Sequence, residues 1–191
     1  LYDLNGVKPV ISISRNYPFR EFYTHIIGYV SQANEQDILL NENIKERFVQ
    51  GLKVGKIGLE KTFENDLIGN NSIERYEVNA YGRRISQLAF QNGDQGKTIK
   101  LTVDTEIQKL ANELLAEKAG SICVMDIFTG HVIAMHSSPS FDPNQFVFGI
   151  SADNWQLIRN NPMKPLLNKS LSGNYSPGST IKPIVALSAL E

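Results

Sequence analysis

Between Ser138 and Gly178 the chain carries five prolines, and the last of them stands in Tyr175-Ser176-Pro177-Gly178-Ser179-Thr180-Ile181-Lys182-Pro183. The Pro-Gly pair interrupts regular backbone. Immediately after it, Ile181, Ile184, Val185, Leu187 and Leu190 fall at helical spacing. Ser179 therefore stands where a helix begins, and Lys182 follows three residues later, on the same helix face. A serine hydroxyl is a weak nucleophile until a neighbouring base takes its proton. An amine can be that base where desolvation and the positive end of a helix dipole favour its neutral form. The free N–H groups of the first turn, that of Ser179 among them, can face a developing oxyanion. Taken alone, Ser-x-x-Lys is more often a capping serine with a solvated lysine, so the rest of the chain has to decide between the two.

At 191 residues the chain has room for one or two domains with hydrophobic cores. A net charge of −1, with Arg83-Arg84 as the densest basic pair, excludes a nucleic-acid footprint. One cysteine, Cys123, excludes an internal disulfide and leaves the compartment open. No uncharged apolar run approaches about 18 residues, so no membrane span is expected in these residues. The chain opens without methionine and stops inside a helical pattern, which gives the expectation of a piece of something longer.

Residues 7–15 alternate after a proline and predict a strand, broken at Asn16-Tyr17-Pro18. His25–Val30 reads as a buried strand or the way into one. The polar stretch 31–46 is helical at best in its latter half. Residues 51–58 read as a glycine-rich turn leading to a helix. Gly51-x-x-x-Gly55-Lys56-Ile57 has the wrong spacing for a phosphate loop and lacks the Ser or Thr that would hold Mg²⁺. Leu59, Phe63 and Leu67 predict one buried stripe on that helix, with Gly69 as its stop. Residues 74–90 alternate around Gly82 and predict a hairpin, or a strand with a bend. The polar turn at 91–96 is the clearest boundary, dividing the chain into 1–97 and 98–191.

In the second part, residues 98–103 predict a strand. Asp104 caps a helix with Ile107, Leu110, Ala111, Leu114 and Leu115 on its apolar face, ended by Gly120. Ser121–Phe128 and His131–Ser137 predict an antiparallel hairpin with both faces largely covered, Cys123 being a small core residue within it. Residues 138–178 read as mostly loop, a length that usually serves function. His25, His131 and His136 share no metal-ligand spacing. Asp142-Pro143-Asn144 reads as an Asx-type turn, and Trp155 as a packing residue. No cofactor motif is present.

Several segments in order resemble the class B penicillin-binding proteins, in particular the penicillin-binding protein 2 type. They are Arg15-Asn16-Tyr17-Pro18 followed by His25-Ile26-Ile27-Gly28-Tyr29-Val30, then Gly55–Glu60, then Leu101–Asp104 with Gln108. Asp126 with Thr129-Gly130, Ser138–Asn144 and Tyr175–Pro183 continue the series. Their order and spacing are specific where each alone is weak. Ile181 stands where the family usually has Phe, and Ser31 where it commonly has Gly.

The resemblance implies an α+β chain. A mostly β, non-catalytic pedestal of the dimerisation type (1–97, incomplete at its start) precedes the first part of a transpeptidase domain (98–191, incomplete at its end), an antiparallel sheet flanked by helices. It implies a D,D-transpeptidase at the periplasmic face of the bacterial inner membrane, anchored through a segment outside these residues. Ser179 would be the acyl-ester nucleophile toward peptidoglycan stem peptides and β-lactams, Lys182 the general base, and the Ser179 N–H an oxyanion donor. Partners would be a membrane glycosyltransferase and proteins of the elongation machinery, bound through the pedestal. The family's later Ser-x-Asn and Lys-Thr-Gly motifs do not occur after Lys182 here, so the 191 residues by themselves are expected to be inactive. Two alternatives stay open: a pedestal acting mainly as a scaffold, and a relative that hydrolyses or senses β-lactams.

Overall fold

The computed structural model describes residues 14–49 and 51–190. Most of the strand expected over 7–15 lies outside the described residues, and Ser14 and Arg15 are irregular. A 3₁₀ turn, Arg20–Phe22, leads into helix α1, Thr24–Ile27, and strand β1, Val30–Gln32. The run His25–Val30 is thus helical first, and the strand starts only at its last residue. Gly28 makes the change, with φ at +83°. A Cβ there would lie 1.9 Å from the Ile57 carbonyl oxygen, and one on Gly58 (φ +61°) would lie 2.7 Å from Gly28 N. Two backbones touch at this crossing, and only glycine fits on either side.

The polar stretch forms two short helices, one of them already in its first half, where only the latter half was expected to be helical at best. These are α2, Glu35–Leu40, capped by a reciprocal Asn34/Asp37 box, and α3, Glu42–Glu46, capped by Asn41. The glycine-rich turn holds a strand, β2, Lys53–Gly55, antiparallel to β1 with Val30 opposite Gly55. Beyond it, the single predicted helix is two, α4, Gly58–Thr62, and α5, Glu64–Leu67, broken at Phe63. Phe63 is exposed, and the buried residues are Glu60 and Glu64. The i, i+4 period is right, but its phase is off by one residue. Charge wins the inward face because each carboxylate finds donors there. Glu60 accepts from Tyr17 Oη at 3.1 Å and pairs with Arg15 Nε at 3.0 Å, while Glu64 accepts from Gly55 N. Tyr17 Oη in turn accepts from Val30 N at 3.0 Å. Burial raises the Glu64 carboxyl above its ordinary pKa, and burial followed by the Glu60 charge raises that of the Tyr17 hydroxyl. Gly69, at φ +65°, follows the end of α5 as predicted.

The hairpin around Gly82 forms from β3, Ile73–Val78, and β4, Arg84–Gln91, and stands largely exposed. After it, Asp104 caps α6, Thr105–Leu114, accepting from Glu106 N and Ile107 N at 2.9 and 3.0 Å. This helix stops well short of Gly120, with Glu117 in the left-handed region, and Gly120 instead opens a strand. The second hairpin is β5, Gly120–Met125, against β6, Val132–Ser138, with Gly120 opposite Ser138. Residues 98–103 form no strand. Thr102 Oγ1 donates to Val132 O at 2.7 Å and Asp104 N to Ile133 O at 2.8 Å, which holds this segment beside β6 without a ladder.

The apolar face of α6 is also redistributed. Ala111 is buried, Ile107, Leu110 and Leu114 are exposed, and Gln108 is fully buried. The β5–β6 sheet is covered unevenly: Ala134 and His136 are buried on one face, while on the other Ser137 is buried against Leu167 and Lys169 and the residues further from that end are more exposed. Cys123 lies on the other face with its cross-strand partner Met135 and is exposed, contrary to the core position expected for it. On the inner face Ile122 lies opposite His136, which is buried.

Residues 138–178 are mostly irregular, as expected, and hold three short helices: α7, Asn144–Val147, α8, Ala152–Arg159, and α9, Lys169–Ser172. The prolines space these helices rather than abolish them, and Ser151 and Asn168 cap two of them. Asn144 N donates to Asp142 Oδ1 at 2.9 Å, the predicted Asx turn. The same Asn144 side chain brackets the Tyr17 main chain, accepting from its N and donating to its O, both at 2.9 Å. Tyr17, Val30 and Val147 form a core cluster. Tyr29 stacks on Phe146 at 4.3 Å, and Trp155 meets Phe146 edge-on, a packing role as expected. The architecture is α+β, with two-stranded antiparallel sheets and short helices between them.

Candidate active site

Pro177 and Gly178 bring the chain into a 3₁₀ turn, Gly178–Ile181, that runs directly into helix α10, Lys182–Leu190. Gly178 has φ +55°, a conformation open to glycine at little cost. The Lys182 N–H donates to the Ser179 carbonyl, closing a turn of three residues. Side chains at i and i+3 eclipse in that geometry, so Ser179 and Lys182 share one face. The turn that carries both residues is a 3₁₀ turn rather than the α-helix itself. Thr180 Oγ1 turns back to bond Pro177 O and fixes the start of the turn. Among the described residues no hydrogen bond joins Ser179 Oγ to Lys182 Nζ. Both side chains are exposed, so the desolvation expected around Lys182 is not supplied by the described residues. Ile184, Val185, Leu187 and Leu190 are exposed on α10.

Upstream, the segment that delivers Ser179 hangs from α9, which is firmly held. Ser137 Oγ accepts from Lys169 N at 3.0 Å and donates to Leu167 O at 3.1 Å, and Ser170 Oγ donates to His136 O at 3.2 Å. Lys169 is buried, its Nζ donating to Lys164 O at 3.0 Å, and burial lowers its pKa. Beside it lie His25 of α1 and His136 of β6, both buried, with their Nε2 atoms unpaired among the described residues. Burial, then the charges of Lys169 and His136, lowers the His25 pKa to about 4, and burial lowers that of His136. The three groups are far apart in sequence and carry no shared motif. The only trace of their meeting is Asn168, a capping residue type just before a short polar stretch.

A pH dependence follows. An unfolded histidine titrates near 6.5. The folded chain keeps His25 neutral down to about pH 4. The unfolded state therefore binds the extra proton between these values, and stability falls as pH drops through that window. The loss by pH 4 is on the order of 3 kcal/mol. His136 acts in the same direction, whereas Glu64, with its raised pKa, gains as its buried charge is neutralised. Urea midpoints measured from pH 7.5 to 4 should fall less steeply in His25→Asn than in the unmodified chain. Parallel slopes would remove His25 from the account.

Among the described residues no group of three or more His, Cys, Asp or Glu side chains could hold a metal ion, and no helix is long and apolar enough to cross a membrane.

Comparison with known proteins gives two family matches. The family described as Penicillin-binding Protein dimerisation domain matches residues 1–101, and the Penicillin binding protein transpeptidase domain matches residues 120–191. The peptidoglycan D,D-transpeptidase MrdA of Escherichia coli K12 is 41% identical over 192 residues, covering all of this chain and 30% of that protein. A Helicobacter pylori penicillin-binding protein, PBP2, solved in complex with MreC, superposes with a TM-score of 0.79 at 34% identity. That match covers 93% of this chain and 32% of the other. Pseudomonas aeruginosa PBP2, solved in complex with WCK 5153, gives 0.77 at 35% identity, covering 96% and 36%. The chain thus spans about a third of the length of these relatives. Both family matches, the PBP2-type relatives and the Ser-x-x-Lys turn inside the transpeptidase match lead to one assignment: the chain belongs to the penicillin-binding proteins of the PBP2 type.

Proposed function

We propose that the complete gene product carrying these residues is a serine-type peptidoglycan D,D-transpeptidase with Ser179 as nucleophile. The observation that carries this reading is the eclipsed Ser179/Lys182 pair in the 3₁₀ turn at the start of α10. Ser179 Oγ attacks the carbonyl carbon of the D-Ala-D-Ala bond while Lys182 Nζ takes its proton. The C–N bond breaks, the departing D-Ala amine receives a proton, and the peptide remains as an ester on Ser179. An amine of a second stem peptide then attacks that ester, forming the cross-link and restoring the hydroxyl. The Ser179 N–H is one donor to the oxyanion of both tetrahedral intermediates. A β-lactam acylates the same oxygen, but its ring-opened amine stays attached, so nothing departs and the ester persists.

On this reading the protein works at the periplasmic face of the bacterial inner membrane. The MreC complex of the H. pylori relative supports an elongation-machinery partner for the first part of the chain. A membrane glycosyltransferase fits the same reading. The test is incubation of the complete gene product with a stem pentapeptide donor and an amine acceptor. Release of D-Ala with formation of the cross-linked dimer is expected, with both lost in Ser179→Ala. Dimer formation that persists in Ser179→Ala would overturn the assignment.

A further inference from the structure

Where β4 ends, the chain leaves the first hairpin through Gln91-Asn92-Gly93-Asp94. Gln91 still pairs with Ile73 of β3, whereas Asn92 is exposed and its backbone irregular. The segment that follows is seated against residues 66–72. Asn70 N donates to Asp94 O at 2.8 Å, and Lys97 N donates to Asp66 O at 2.7 Å. Gly93 lies so close to this loop that a Cβ on it would stand 2.3 Å from Asn70 O and 2.7 Å from Ser72 N. Packing therefore demands glycine at position 93. The same glycine leaves its own amide nitrogen without the shield that a side chain would give it. The residue before it is an asparagine, whose side-chain carbonyl that nitrogen can reach. Among the described residues neither the Asn92 side chain nor the Gly93 N–H makes a hydrogen bond.

We propose that Asn92 is a site of spontaneous deamidation, and that its isoaspartate product unseats the turn. Hydroxide takes the Gly93 N–H proton, and the nitrogen attacks Asn92 Cγ. The new C–N bond closes a succinimide ring, and the Asn92 amide nitrogen takes a proton from water and leaves as ammonia. Water then opens the ring at one of its two carbonyls. Opening at the side-chain carbonyl gives aspartate, and opening at the main-chain carbonyl gives isoaspartate. Both place a negative charge beside Asp94. In isoaspartate the chain also runs through the former side chain and is one methylene longer. Gly93 then cannot keep its contact with Asn70 while Gln91 stays opposite Ile73.

The test incubates the complete gene product at mildly alkaline pH and follows the tryptic peptide Ile85–Lys97, in which Asn92 is the sole asparagine. The chain's other Asn-Gly pair, Asn5-Gly6, falls in a different tryptic peptide. Ile85–Lys97 should gain the mass of an amide-to-acid exchange faster than any peptide without Asn-Gly, at a rate proportional to hydroxide concentration. An isoaspartyl methyltransferase should methylate the product. Asn92→Gln, which would have to close a larger ring, should stay unmodified. In limited trypsinolysis of the folded protein, cleavage after Lys97 should be several-fold faster in the aged protein than in the fresh one. Fresh Asn92→Asp adds the charge without the extra methylene and should be cut at the unmodified rate. A peptide that stays intact in the folded protein but converts in urea would overturn the proposal, because the native backbone would then hold Gly93 N away from Asn92 Cγ. Conversion without faster cleavage after Lys97, or equal acceleration in Asn92→Asp, would overturn the unseating.

Discussion

Replacing Gln108 with leucine should lower the free energy of unfolding by about 3 kcal/mol or more. The Gln108 amide is fully buried and acts as a piece of backbone. Its Oε1 accepts from Met135 N at 2.9 Å, and its Nε2 donates to Met135 O at 3.0 Å and to Phe22 O at 2.7 Å. One side chain thus joins α6, β6 and the 3₁₀ turn before α1. Leucine has nearly the same size, so the loss is not chiefly one of packing. It leaves three main-chain groups without their partner, each costing roughly 1–3 kcal/mol when buried. A urea titration monitored by circular dichroism reads the change. As a control, Lys109→Ala, next in the chain and paired to Glu106 on the surface at 3.0 Å, should change stability by less than about 0.5 kcal/mol. A Gln108→Leu change below about 1 kcal/mol would mean that the junction is held elsewhere.

Acylation should respond more strongly still to the turn before α10. Ser179→Ala removes the proposed nucleophilic oxygen, and labelling by a penicillin should be abolished. Lys182→Ala keeps the proposed nucleophile and removes the proposed base, which should cost about 10²–10⁴-fold in the limiting acylation rate. Folding should be little affected in either variant, because both side chains are exposed. Stopped-flow acylation of the complete gene product separates the two variants. Lys182→Ala reacting at the unmodified rate would return Lys182 to the role of a solvated surface residue.

Local turns were more legible in the sequence than the packing around them. That Ser179 and Lys182 share one turn follows from spacing alone, because a single turn suffices to bring residues i and i+3 together, whereas a catalytic role for them rests on the resemblance of the chain as a whole. The Asp104 cap and the two hairpins were readable for the same reason, since caps and tight turns are local. What failed was long-range. The apolar stripe assigned to Leu59, Phe63 and Leu67 gave way to Glu60 and Glu64, whose burial depends on donors from Tyr17, Arg15 and Gly55. Cys123 was placed inside because its strand is apolar, but which face of a strand is covered depends on what packs there. The His25, His136 and Lys169 cluster has no local signature, because three separate elements bring it together. Residues 138–178 are mostly irregular, as their prolines suggested, but the short helices between the breaks, two of them capped by Ser151 and Asn168, were not foreseen.

The central claim, that Ser179 forms the acyl-enzyme, is tested most directly by locating the adduct. The complete gene product is treated with a penicillin, digested and mapped by mass spectrometry. One penicilloyl group per chain is expected on the peptide containing Tyr175–Lys182, with fragmentation assigning it to Ser179. An adduct on any other residue, or an unmodified Ser179 under conditions where the protein is otherwise acylated, would contradict the account.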